Sequence, residues 1–146
     1  MFESCSAKQE EIKQLFVACA DEEAKYLKII ELGRTQPHLN SALKVPENIV
    51  KGCQSIMYIH STLQDGKVFF EGESDALISS GLAQILIRVY SGETPEVILK
   101  CPPTYLEDLG ISASLTPNRA NGLYSIHLRI KQDALKHLLA QTKTSS

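Results

Sequence analysis

The chain has 146 residues, about the length of one domain and enough for a hydrophobic core. Hydrophobic residues make up 43%, charged residues 22%, and the formal net charge is -2, so there is no basic field for nucleic acid or an anionic membrane. No apolar run is long enough to cross a bilayer, and the first residues do not resemble a signal peptide, so we expect a cytoplasmic protein.

Two short helices are predicted at the beginning of the chain. Ser6 has the position of a cap for the first helix, and Cys5 precedes it, so we expect Cys5 to be exposed. Asp21 is predicted to cap the second helix, and Gly33 to end it. The first helix has one apolar face, with residues at helical spacing: Ile12, Leu15, Phe16 and Cys19.

An irregular segment and a hairpin follow. Residues 34–52 contain turn formers and no regular period, and long segments of this kind are often functional. Residues 55–63 and 67–72 alternate as two strands, joined by a turn with the favoured Asp65-Gly66 pair. An isolated hairpin is marginally stable, so we expect helices to cover it and a further strand to join it.

The second half of the chain is predicted to be helical. Ser74 is predicted to cap a central helix, and Thr94 a short helix that follows it. Thr116-Pro117 opens the last helix, whose apolar pattern changes phase near Gln132, a pattern compatible with a kink or a separate helix there. The central helix carries a clear apolar stripe: Ile78, Leu82, Ile85, Leu86 and Val89.

Cys53 lies where the irregular segment meets the first strand. Gly52 permits a tight turn or a close approach beside it, and Lys51 would favour the thiolate if its ammonium came near the sulfur. A buried, inert cysteine at the start of a strand explains these residues about equally well. The local sequence therefore leaves both interpretations of Cys53 open.

Other chemistry has weaker support. The four cysteines, at positions 5, 19, 53 and 101, do not have metal-ligand spacing, so no metal site is predicted. A Cys–His hydrolase is disfavoured because His60 lies seven residues from Cys53 along a strand, roughly 23 Å away, although His127 could approach through folding. Arg119 stands in the first turn of a helix, where it opposes the dipole, and a role near the thiol would explain that position.

Four motifs in order resemble the SufE family, and the similarity runs from about residue 10 to about residue 130. The Gly-Cys-Gln-Ser run alone is moderately specific, whereas four motifs in the same order are strongly so. The motifs occupy residues 26–33 (YLKIIELG), 50–55 (VKGCQS), 71–76 (EGESDA) and 115–123 (LTPNRANGL).

The resemblance implies an α+β sandwich of the SufE/IscU type, with a small antiparallel sheet of about three strands covered by helices. It implies one domain over residues 1–146, with a core at about 7–131 and a carboxy-terminal extension at 132–146. It also implies that Cys53 accepts sulfur from a SufS-type, pyridoxal-phosphate-dependent cysteine desulfurase and carries it as a persulfide to a cluster scaffold. No cofactor of its own is implied, and a monomer or a homodimer is expected.

The residues expected around the thiol are taken from the matching motifs, and Arg119 is expected to stabilise a thiolate or persulfide anion. Two alternatives stay open: a binding module that alters a desulfurase without carrying sulfur, and an IscU-type cluster scaffold, which needs several converging ligands. The expected supporting residues are Arg119, Asp75, Gln54, Gly52 and Lys51.

Overall fold

The structure, a computed structural model, describes residues 1–145, with side chains to residue 142. It has two strands and six helices within those residues, together with three short 3-10 turns. The helices and strands are α1 (Glu3–Leu15), α2 (Glu22–Arg34), β1 (Met57–Gln64), β2 (Lys67–Ser74), α3 (Leu77–Tyr90), α4 (Pro95–Lys100), α5 (Thr104–Leu109) and α6 (Pro117–Ser145).

The two strands form an antiparallel hairpin, and this confirms the α+β class. Asp65 and Gly66 both have positive φ, 53° and 78°, as the two-residue hairpin turn requires. The expectation of about three strands is wrong for residues 1–145, where the sheet has two. Single bridges take the place of a further strand at the edges: Ile49 with Tyr58 and Val68 with Glu93.

Helix α3 is the centre of the fold, as its apolar stripe predicts. Almost all of its residues are buried, because it packs on the sheet with one side and on α2 with the other. Gly33 of α2 and Gly81 of α3 lie at the crossing of these two helices. A Cβ on Gly81 would overlap the carbonyl oxygen of Ile29, and one on Gly33 would overlap that of Leu77. The two backbones are in direct contact, which only glycine allows.

The first helix differs from the prediction at its beginning. It begins at Glu3, with Phe2 rather than Ser6 at the N-cap, and the predicted exposure of Cys5 is wrong because its exposed fraction is 0%. The extra turn is held against the fold by Glu93, which accepts a hydrogen bond from Ser4 at 2.8 Å and pairs with Lys8 at 2.6 Å. These long-range contacts bury the face that carries Cys5.

The predicted helix caps are confirmed only in part. Asp21 caps α2 by accepting a hydrogen bond from the backbone N–H of Ala24, as predicted. Gly33 does not end α2, which runs through Arg34 with Thr35 at the C-cap; instead, Gly33 lies at the crossing with α3. Ser74 is not the N-cap of α3, a position taken by Ala76.

Helix α6 runs without interruption from Pro117 to Ser145, so no separate helix begins near Gln132. The change of phase has another cause. The buried face continues through Ile130 and Ala134, while Leu135 and Leu139 stay 47% and 55% exposed. Residue 146, the end of the expected extension, lies outside the described residues. Among the helices described, none is both long and apolar enough to cross a membrane.

Candidate functional site

Cys53 lies in a short loop that is closed at its base. We call residues 51–56 the Cys53 loop. The backbone N–H of Val50 donates to the carbonyl oxygen of Met57 at 2.8 Å, so the loop leaves and rejoins the sheet at adjacent points. The Ser74 hydroxyl donates to the carbonyl oxygen of Ile56 at 2.7 Å and secures the second end. Cys53 is half-buried in this loop, neither free in solvent nor sealed in the core.

The thiol packs on helix α6. Its S–H donates to the carbonyl oxygen of Gly122 at 3.8 Å, and a Cβ on Gly122 would lie 3.9 Å from the sulfur. The neighbouring Gly52 has φ of +91°, a conformation that glycine adopts without strain. The loop therefore packs on α6, with the thiol in van der Waals range of Gly122.

Two opposing effects act on the thiol. Burial raises the pKa of Cys53, and the positive charge of Arg119 lowers the pKa against that effect. Arg119 is held by two hydroxyls, because its Nη1 donates to Ser55 Oγ and to Ser79 Oγ, both at 2.9 Å. One hydroxyl belongs to the Cys53 loop and the other to the buried part of α3. The cation therefore has a defined position relative to the loop.

The predicted site residues divide into two groups. Arg119 is partly buried and its charge acts on the thiol, whereas the other four residues are exposed: Lys51, Gly52, Gln54 and Asp75. Asp75 Oδ1 lies 3.5 Å from the Ser74 hydroxyl, whose proton is donated to Ile56, beside the end of the loop. Among the described residues, Arg119 rather than Lys51 is the cation whose charge acts on the thiol.

Sequence reasoning missed the partners that hold these groups. Apart from Ser55, which belongs to the loop itself, the missed residues become its neighbours only through folding, since β2, α3 and α6 are far from the loop along the chain. One signal was available, because two adjacent serines interrupt an otherwise apolar central helix, and a buried hydroxyl there needs a partner. The missed residues are Ser55, Ser74, Ser79, Gly122 and Ser125.

Two further thiols, Cys5 and Cys101, and one histidine, His127, are largely buried and have structural roles. Cys5 and Cys101 are both buried and share the Gln9 amide, whose Nε2 lies 3.8 Å and 3.5 Å from their sulfurs. Burial raises the pKa of Cys5 to about 12, so this cysteine stays a protonated thiol near neutral pH. Burial also lowers the pKa of His127 to about 4, and its ring packs against Tyr90 with centroids 5.8 Å apart. Within the described residues, no three metal-ligating side chains converge.

Gly52→Ala is expected to destabilise the fold by about 1–2 kcal/mol, because alanine is strained at positive φ. Its Cβ would also lie 2.5 Å from the Ser125 hydroxyl oxygen. Chemical unfolding of the single and double variants with Ser125→Ala separates the two causes. Ser125→Ala should remove the steric part of the loss and leave the backbone part. Equal stability of Gly52→Ala and the wild type would show that the loop does not require glycine.

These features define a class of protein: an α+β scaffold that presents one half-buried thiol on a short closed loop beside an arginine. A family model described as "SufE: Fe-S metabolism associated domain" matches residues 10–134. The chain belongs to the SufE family. Membership implies a part in iron–sulfur metabolism and, in general, work beside a cysteine desulfurase.

Similar proteins agree with this assignment. An uncharacterised SufE-like protein of Synechocystis is 35% identical over 131 residues, which cover 90% of this chain and 82% of that protein. SufE-like protein 1, chloroplastic/mitochondrial, of Arabidopsis thaliana is 33% identical over 93% of this chain, which spans only 37% of that protein. The solution structure of a hypothetical protein from Thermus thermophilus has a TM-score of 0.72 at 25% identity, covering 90% of this chain and 96% of that one.

Proposed function

We propose that Cys53 accepts sulfur from a pyridoxal-phosphate-dependent cysteine desulfurase of the SufS type and carries it as a persulfide for iron–sulfur cluster assembly. The pyridoxal phosphate belongs to the partner enzyme, and this chain acts as a carrier and activator rather than as an enzyme. One observation supports this most: Cys53 is half-buried on a short closed loop at the protein surface, with Arg119 acting on its sulfur.

The proposed transfer is a thiol–disulfide type exchange. The Cys53 thiolate attacks the outer sulfur of the desulfurase persulfide, whose S–S bond breaks as a new S–S bond forms on Cys53. The desulfurase cysteine leaves as a thiolate, so that no external oxidant or reductant is required. The persulfide anion that forms carries the same charge as the thiolate, so Arg119 can stabilise both.

The surroundings support a thiol that is protected until a partner arrives. Burial raises the pKa of Cys53, so the free protein holds its sulfur mainly as the unreactive thiol. The Cys53 loop and the adjacent start of α3 carry two exposed apolar side chains, Ile56 at 54% and Leu77 at 43%. We expect the desulfurase to cover these side chains when it binds.

Cys53→Ser is expected to abolish sulfur acceptance completely, because serine cannot form a persulfide. The protein is incubated with a SufS-type desulfurase and cysteine and then weighed intact without reductant. The wild type should gain the mass of one sulfur atom, and peptide mapping should place it on Cys53. Cys19→Ser is the matched control, since Cys19 is the other half-exposed cysteine, and it should load normally.

The alternative is a binding module that alters the desulfurase without carrying sulfur. It predicts that Cys53→Ser still stimulates cysteine turnover and that the wild type gains no mass. Sulfur on Cys19 instead of Cys53 would also overturn the proposal. A cluster scaffold predicts retention of iron, which elemental analysis of the same samples would detect.

The compartment and the domain limits remain proposals as well. We propose a cytoplasmic protein, a monomer or homodimer, made of one domain with its core at about 7–131 and an extension at 132–146. The Arabidopsis relative is named chloroplastic/mitochondrial, so cell fractionation is needed to test the location of this chain. Light scattering of the purified protein distinguishes the monomer from the homodimer.

A further inference from the structure

Arg129 of helix α6 binds three backbone carbonyl groups around the Cys53 loop. Its Nη2 donates to the carbonyl oxygens of Glu47 at 3.0 Å and Ile59 at 3.1 Å. Its Nη1 donates to the carbonyl oxygen of Ile49 at 3.3 Å. Two of these carbonyls precede the loop in the chain and one follows it, so a single guanidinium connects both ends of the loop to the same helix.

The position of the guanidinium is itself fixed. Its Nε donates to Asp133 Oδ1 at 2.9 Å, and the two side chains are only 16% and 13% exposed. The other oxygen of Asp133 accepts a hydrogen bond from Ser61 of β1 at 2.9 Å. His137 Nε2 lies 3.0 Å from the same Ser61 hydroxyl. The network therefore joins the middle of α6 to β1, the strand that follows the loop.

These contacts have a specific geometry that a lysine could not reproduce. A guanidinium presents five N–H groups in a planar fork, and here it reaches three carbonyls and one carboxylate at once. An ammonium is a compact point donor on a flexible stem. The arrangement is thus a property of arginine at position 129, and not of positive charge alone.

We propose that Arg129 is a positioning residue that holds both ends of the Cys53 loop on α6 and so limits how far the thiol can leave its place against Gly122. This inference deepens the proposed function, since it concerns the presentation of the carrier thiol. Arg129 binds the backbone at the ends of the loop, whereas Arg119 stabilises negative charge on the sulfur. Loss of Arg129 should change only the access to Cys53, whereas loss of Arg119 should change its acidity as well.

Arg129→Met is expected to raise the rate of Cys53 alkylation by iodoacetamide about tenfold at each pH, because hydrogen bonds from one charged group are lost at a partly exposed site. The pH at the midpoint of the rate profile should not move. Peptide mass spectrometry measures the alkylation of Cys53 separately from that of Cys19. Hydrogen–deuterium exchange should rise over residues 47–59, including the Val50 amide that bonds Met57.

Two further variants make the result decisive. Arg129→Lys keeps the charge and should still raise the rate at least threefold, since one ammonium cannot reach three separated carbonyls. Arg88→Met is the matched control, because Arg88 bonds Gln84 and Thr35, which are not part of the Cys53 loop. It should leave the alkylation of Cys53 and the exchange over residues 47–59 unchanged.

The inference is overturned if both Arg129 variants have the wild-type rate of Cys53 alkylation and the wild-type hydrogen–deuterium exchange over residues 47–59. An equal rise in Arg88→Met would also overturn it, because the effect would then be general loosening of the fold. If Arg129→Met does not fold, Arg129→Lys decides alone. None of these measurements uses a desulfurase, so a wild type that gains no sulfur would refute the proposed function without affecting this test.

Discussion

Gly81→Ala is expected to destabilise the folded state by about 3 kcal/mol or more, although alanine is the better helix former by about 1 kcal/mol. The added methyl group would overlap the carbonyl oxygen of Ile29 in the neighbouring helix α2. Backbone cannot move aside as a flexible side chain can, so α2 and α3 must separate. Because α3 forms the centre of the core, the whole fold should lose stability. Urea or thermal unfolding followed by circular dichroism measures the change.

Gly122→Ala provides the matched control, since it makes the same substitution inside another helix. A Cβ there would lie 3.9 Å from the sulfur of Cys53, an ordinary van der Waals distance. Stability should therefore stay equal or rise by up to about 1 kcal/mol from the helix propensity alone. If both glycine variants changed stability by the same amount and in the same direction, close contact between α2 and α3 would not explain the requirement at position 81.

Arg119→Gln is expected to slow the alkylation of Cys53 severalfold near pH 8 and to move the midpoint of its rate profile to higher pH. Burial raises the pKa of Cys53 and the charge of Arg119 opposes that rise, so removing the charge raises the pKa further. A smaller thiolate fraction at a given pH reacts more slowly. Rates measured from pH 6 to 11 give the midpoint and the plateau separately.

The plateau of the alkylation rate at high pH distinguishes a change in acidity from a change in access. The midpoint reports the pKa of Cys53, and the plateau reports how readily the reagent reaches the thiolate. The same substitution removes the hydrogen bond from Arg119 to Ser55 and so loosens the loop. That loosening alone would raise the plateau without moving the midpoint, so the shift of the midpoint measures the electrostatic effect. Arg119→Lys keeps the charge and should keep the midpoint near that of the wild type. An unchanged midpoint in Arg119→Gln would exclude electrostatic control of the thiol. Unchanged persulfide transfer in Arg119→Ala would lead us to abandon its proposed role in function.

Most helices and the hairpin could be predicted because their signals are local. Asp21 accepts a hydrogen bond three residues away, and the Asp65-Gly66 turn depends on two residues with positive φ. Alternation of side chains predicted the two strands themselves. The corrections arise from contacts between distant parts of the chain. Cys5 is buried because α1 gains a turn held by Glu93, and that pairing has no signature near residue 5.

The candidate site also has a part that local sequence predicts and a part that depends on distant contacts. Gly52 and Cys53 are adjacent in the chain, so a glycine beside a thiol can be recognised from the sequence and from its resemblance to the SufE family. The two serines that hold Arg119 and the three carbonyls that bind Arg129 are all far from their arginine along the chain. No periodicity relates such groups, because hydrogen bonds across the fold depend on where helices cross.

The sequence by itself determined that this chain is an α+β protein with one cysteine at the junction of a loop and a strand, because turns, caps and alternation act over a few residues. Only the tertiary structure decided that α6 supplies the surface under that cysteine, that Arg119 rather than Lys51 acts on the sulfur, and that Arg129 binds both ends of the loop. The physical reason is that electrostatic and steric effects depend on distance in space, which folding sets independently of separation along the chain.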